Sequence, residues 1–187
     1  MSELFTDMAK RAFSFLELSG FRLARVNADQ LRYESASSVV VIDWDTRSGE
    51  LEASVGLRSS GGQPQDMYSI TDVLGMEGVS DRKAPAQVAD ENRLKPFVDQ
   101  LAEDIRAHAQ PALKGDHKFY GRLETFRHAN AEAFTRNMKL QQVRSEAEIA
   151  WQKREFEKVV RFYATIETDL TEAEKRKLEY ARQHLTD

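Results

Sequence analysis

Residues 38–57 read SVVVIDWDTRSGELEASVGL, from Ser38 to Leu57, and this stretch decides the fold. In an extended chain Val39, Val41 and Asp43 point one way, and Val40, Ile42 and Trp44 the other. Apolar side chains on both faces as far as Ile42 predict a central strand covered on both sides. Asp45 to Glu50 supplies turn residues, with Gly49 able to take a positive φ in a short hairpin loop. The second half alternates more cleanly. Leu51, Ala53, Val55 and Leu57 face inward against Glu50, Glu52, Ser54 and Gly56.

Outward from the hairpin, the period of two extends upstream. Residues 21–26 form a strand candidate, and Leu31 and Tyr33 continue the pattern beyond a turn at Asn27–Asp29. The expectation is a four-stranded antiparallel meander over 21–57. Before it, Leu4, Phe5, Met8, Ala12, Phe15 and Leu16 recur at spacings of three and four. They predict an amphipathic helix over 3–19, with Ser2 as its cap and Gly20 as its stop. After it, residues 58–66 read as a flexible connection, and Ser69 or Thr71 caps a short helix carrying Ile70, Val73 and Leu74. Residues 75–89 read as loop.

From Asp90 onward the chain is helical. Leu94, Phe97, Val98, Leu101, Ala102 and Ile105 make one apolar stripe, with Pro96 in the first turn. A second long helix starts near Asp116, with Phe119, Leu123, Phe126, Phe134 and Met138 as its expected buried side. Residues 145–185 divide into three short helical segments, the last opened by a Thr171/Glu174 capping box. The fold class is therefore α+β: an N-terminal helix and a four-stranded meander packed under helices, followed by a C-terminal helical region. The expected domains are a sheet domain over 1–113 and a helical extension over 114–187.

The chain has 187 residues and a formal charge of −4, with no cysteine. Disulfides, thiolate zinc sites and thiol nucleophiles are thereby excluded. No apolar run reaches the ~18 residues of a membrane span, and no basic segment precedes an apolar one at the N-terminus. These features predict a cytoplasmic protein. Residues 1–112 hold 12 Lys+Arg against 18 Asp+Glu, whereas residues 113–187 hold 15 against 13. The front is acidic and the back mildly basic.

Two resemblances accompany this reading. The order of N-terminal helix, Gly20-Phe21, a strand ending Tyr33-Glu34-Ser35, then VVVIDWD with RSGEL, then YSITDVL, spans residues 4–76. It resembles small bacterial α+β domains, some of which are immunity proteins of polymorphic toxins, and implies a partner-binding role with no catalytic residue. Residues 145–171 resemble one tetratricopeptide-type helix pair through Ala147, Trp151, Phe156, Val159, Tyr163 and Ile166. Arg154 stands where that repeat favours Gly, Val159 where it favours Ala, and Thr171 where Pro is common. A repeat of this kind does not bury its face alone, so the expectation is a TPR-like hairpin docked on the preceding helix.

Three functions compete. The leading one is a protein-binding module, an immunity-type inhibitor or adaptor that masks a partner such as a cognate toxin with a basic surface. Its expected partner-binding residues are the carboxylates Asp43, Asp45, Glu50 and Glu52 and the aromatics Tyr33, Trp44 and Tyr68. The second is a metal-dependent enzyme using Asp43 and Asp45, which an alternating strand places on one face. The third is a nucleic-acid-associated regulator using the basic helices of 118–161, through Lys118, Arg122, Arg127, Arg136, Lys139 and Arg144. No phosphate loop, dinucleotide fingerprint, nucleophile elbow or zinc-binding His motif is present. No cofactor is expected. His117 and His128, about three turns apart on one helix, share a face but not one metal, and with His108 and His184 they read as solvated or satisfied histidines.

Overall fold

The computed structural model describes residues 3–59, 64–79 and 86–185. The expected Ser2 cap and the 80–85 part of the expected loop lie outside the described residues. Residues 1–127 and 128–187 form two compact units. The division falls further along the chain than the boundary near Leu113 expected from sequence.

The first unit is mixed α/β. Its sheet has five consecutive antiparallel strands: β1 (Arg22–Val26), β2 (Gln30–Glu34), β3 (Ser38–Asp45), β4 (Glu50–Arg58) and β5 (Pro64–Ser69). A two-residue strand, β6 (Ala86–Gln87), pairs with Glu50 and Leu51 of β4. Periodicity misses β5 because it opens on Pro64 and carries one apolar alternation, Tyr68 inward against Met67 outward. A proline is tolerated at the first residue of an edge strand, where its missing donor breaks no ladder. The register also shifts between Gly56 and Arg58, which blurs the pattern further.

One sheet face is the core. Leu31, Tyr33, Val40, Ile42, Trp44, Leu51, Ala53 and Val55 are buried there with side chains from the helices. The N-terminal helix is broken at Phe13 into α1 (Glu3–Ala12) and α2 (Ser14–Leu18), where the predicted element was continuous. α3 (Ile70–Met76) begins at the Ser69 cap, whose hydroxyl oxygen accepts from the Thr71 amide at 3.0 Å. α4 (Lys95–His108) has its proline in the first turn, and α5 (Gln110–Leu113) follows it. The core also takes Phe119, Tyr120 and Leu123 from the start of α6 (His117–Gln152).

The other sheet face is polar and half-exposed, with Gln30, Arg32, Glu34, Asp43, Glu52 and Ser54 in register across β2, β3 and β4. Val39 is fully buried on this face even so. Its register neighbours are Glu34 on β2 and Gly56 on β4. A Cβ on Gly56, directly opposite Val39, would lie 2.6 Å from the Met67 sulfur, so the Met67 thioether lies over Gly56. On the other side Glu34 accepts from Arg32 at 2.8 Å, with Arg22 and Arg58 within 3.8 Å of the same carboxylate. The aliphatic stems of such arginines shield apolar neighbours while their heads stay wet. Arg32 and the other cations hold the Glu34 carboxyl below its ordinary range against the opposing effect of burial.

The second unit holds the C-terminal part of α6 with α7 (Phe156–Ala164) and α8 (Glu172–Gln183). Ala147, Ala150, Val159, Tyr163, Ile166, Leu170, Leu178 and Ala181 are its buried residues. Thr171 and Glu174 close the capping box, the Glu174 carboxylate accepting from the Thr171 amide at 2.7 Å. α6 is one helix of 36 residues where two were predicted. Its expected buried stripe stops early, since Phe134 and Met138 are 68% and 52% exposed. Neither core reaches them: one ends at Leu123, and the other begins with partly buried Leu140.

Arg154 ends α6 in the left-handed region at φ 59°, and it is the position where the tetratricopeptide pattern has Gly. The Glu155 amide bonds back to the Ala150 carbonyl at 2.9 Å, which is the wrap of a helix C-cap. A side chain in this conformation costs about 1 kcal/mol that Gly does not incur. Arg154→Gly is expected to raise the melting temperature of the second unit, read by circular dichroism, and Arg154→Val to lower it.

Candidate functional site

The seven expected partner-binding residues separate into two groups. Tyr33, Trp44 and Tyr68 are core residues, at 0%, 4% and 5% exposure, and present no face to a partner. Trp44 donates its ring N–H to the Val88 carbonyl at 3.2 Å and packs on Phe5 with centroids 5.8 Å apart. Tyr33 lies beneath α1, and burial, then the charge of Glu17, pushes its hydroxyl up to about 12. Tyr68 packs against Tyr120 at 5.8 Å, and Arg127 stacks on its ring at 4.4 Å. The alternation of β3 already sends Trp44 to the same side as Val40 and Ile42, which is why the aromatics are inside.

The four carboxylates do come together. β3 and β4 pair with Asp43 directly opposite Glu52 and Asp45 directly opposite Glu50, all on the polar sheet face. Opposed like charges on neighbouring strands are unfavourable. Gln30 is the register neighbour of Asp43 on β2, and Asp29 stands beside it. Among the described residues, Asp29, Asp43, Glu50 and Glu52 form no ion pair.

The hairpin loop fixes this end of the sheet. Asp45 is a turn residue: its carboxylate accepts from the Arg47 amide at 2.8 Å and from the Ser48 hydroxyl at 3.0 Å. Those bonds, the Arg47 amide first, hold its carboxyl below the ordinary range. Gly49 has φ +73°, and a Cβ there would stand 3.1 Å from the backbone of Val88 and Ala89. The Val88 amide in turn donates to the Gly49 carbonyl at 2.6 Å. Only glycine satisfies both the turn and that close approach.

Asp43 has the opposite electrostatics. Partial desolvation raises its carboxyl first, and the charges of Asp29, Glu52 and Asp45 add to the rise against a hydrogen bond from Gln30. A carboxylate raised on folding favours the folded state below its unfolded pKa and loses that contribution as pH rises through the folded value. Asp43→Asn is therefore expected to melt higher than the parent at pH 7, with the difference vanishing in acid. Thermal scans between pH 3 and pH 7 check this, and a difference that grows on acidification would reverse the sign.

The other two sets of candidates fare differently. Among the described residues no three His, Asp or Glu side chains converge as a metal site. Of the six candidate basic residues named on 118–161, Arg122 pairs with Glu77, Arg127 with Asp66, Arg136 with Asp169 and Arg144 with Glu174. These four therefore carry carboxylate partners within the protein. No described helix is long and apolar enough to cross a membrane. In comparisons with protein-family models, curated proteins and solved structures, nothing matches the chain.

Proposed function

We propose that the chain is a protein-binding module that meets a basic surface of its partner with the acidic end of its sheet. One observation carries the reading. The fold places Asp43 opposite Glu52 and Asp45 opposite Glu50 on a half-exposed face, and among the described residues Asp29, Asp43, Glu50 and Glu52 form no ion pair. The hairpin turn accounts for Asp45, but no turn bond accounts for Asp43 opposite Glu52, and the neighbouring carboxylates disfavour its charge. A basic partner converts that repulsion into attraction, steering encounter and selecting against acidic competitors.

A more specific form is an inhibitor or adaptor that masks a basic functional surface, in keeping with the resemblance of residues 4–76 to small bacterial α+β domains, some of them immunity proteins of polymorphic toxins. Masking needs a stiff platform rather than catalytic groups. The short turn tied to Val88 and the ladder of β3 against β4 supply one. The test is affinity capture from the source cells with the parent chain and with an Asp43→Lys/Glu52→Lys variant. A partner is expected with the parent and is expected to be lost with the variant. A partner retained equally by both would remove the acidic end from the account, and no captured protein at low salt would remove the function.

A further inference from the structure

The polar sheet face carries a second set of opposed like charges, of the other sign. Arg25 on β1 stands directly opposite Arg32 on β2, and Arg22 directly opposite Glu34. Arg22 and Arg25 are exposed, and Arg25 reaches the Asn27 side chain at 3.4 Å. Arg22, Arg32 and Arg58 lie within 3.8 Å of the Glu34 carboxylate. Three guanidinium groups on one carboxylate, with Arg25 beside them, leave this corner cationic.

The register sets the spacing of the two sets. Arg25, Arg32, Val41 and Ser54 form one row across β1 to β4. Toward the hairpin the next outward rows are Gln30, Asp43 and Glu52, then Asp45 and Glu50. Away from it the next is Arg22, Glu34, Val39 and Gly56. The cations therefore gather on β1 and β2, with Arg58 at the far end of β4, and the carboxylates on β3 and β4 at the hairpin. Asp43 and Val39, which adjoins Glu34, are separated by about 13 Å of strand. Half-buried Val41 lies between the sets.

Like charges opposed on neighbouring strands are unfavourable, and this face has such pairs of both signs. We infer that it docks on the same face of a second copy of this chain, about a two-fold axis between the sheets that exchanges the two sets. A two-fold contact uses one patch twice, so a patch with carboxylates at one corner and arginines at another is complementary to itself. Each repulsive set then meets its opposite, in two symmetric contacts. Sheets packed face to face are about 10 Å apart, a gap that arginine and carboxylate side chains span together. Five strands about 4.8 Å apart and an eight-residue β3 offer roughly 500 Å² per copy. That is the lower limit of specific interfaces, so the dimer is weak and depends on concentration. The inference rests on the acidic end being a surface for cations, as in the proposed function. It adds that the chain's own arginines occupy that end until a basic partner displaces them.

The test is sedimentation equilibrium of the full chain up to millimolar concentration, at low and at high salt. A monomer–dimer equilibrium is expected at low salt, weakened roughly tenfold or more by added salt. Asp43→Lys/Glu52→Lys and Arg22→Glu/Arg25→Glu are each expected to be monomeric, with the parent's melting temperature, since all four positions lie on the outward face. The milder Asp43→Asn/Glu52→Gln is expected to weaken the dimer about tenfold. An equimolar mixture of the two charge-reversed variants is expected to dimerise, because both contacts are then again of opposite sign. A parent that stays monomeric at low salt, a dimer that the substitutions leave intact, or a mixture that stays monomeric overturns the inference. A monomeric parent that still captures a basic protein through its acidic end overturns this inference alone. A dimer restored in the mixture, from a parent that captures no other protein, supports it and removes the proposed function.

Discussion

Trp44→Ala is expected to destabilise the first unit by about 3–5 kcal/mol, enough to leave a marginal domain largely unfolded at moderate temperature. The indole is 4% exposed, packs on Phe5 and bonds the Val88 carbonyl. Removing it opens a cavity beneath the sheet and leaves that carbonyl without its partner. It also loosens the segment that fixes the hairpin turn, because the Val88 amide bonds the Gly49 carbonyl. Trp44→Phe is expected to recover part of the loss by refilling the space. Chemical denaturation measures both. A Trp44→Ala variant that keeps its midpoint while losing partner binding would restore Trp44 to the interface, contrary to its burial.

Tyr163→Ala is expected to have an effect of similar size, about 3–5 kcal/mol, confined to the second unit. Among its described residues eight are buried, and Tyr163 at 2% exposure is the bulkiest of them. Burial also raises its hydroxyl above the ordinary range, with Glu174 and Glu148 adding to the rise. The chain's two tryptophans separate the readouts, since Trp44 lies in the first unit and Trp151 in the second. Fluorescence of Trp151, followed in a Trp44→Phe background, is expected to report an unfolding transition shifted to low denaturant. Fluorescence of Trp44, followed in a Trp151→Phe background, is expected to move much less. Equal displacement of both would mean that the units unfold together.

The strands around Ser38–Leu57 were legible because alternation and turn chemistry agree there, down to the positive φ of Gly49. β5 was not legible, since six residues opening on proline carry too little alternation to outweigh the loop signals around them. The helical apolar stripe misled at Phe134 and Met138 because periodicity marks a face without saying whether anything packs on it. For the candidate site, the carboxylates could be placed from the sequence, since strand alternation fixes their side and the hairpin fixes their opposition. The aromatics are buried, because their side of the strand overrides the general preference of Trp and Tyr for interfaces. The packing of Tyr68 on Tyr120 joins β5 to α6 across about fifty residues of chain, and no local pattern announces such a contact.

The most direct test of the acidic end is calorimetric binding of the captured partner to the parent and to Asp43→Lys/Glu52→Lys, at low and at high salt. A roughly tenfold or greater loss of affinity is expected in the variant, with a parent affinity that falls with added salt and no loss of melting temperature. Equal affinities for parent and variant, insensitive to salt, would contradict it.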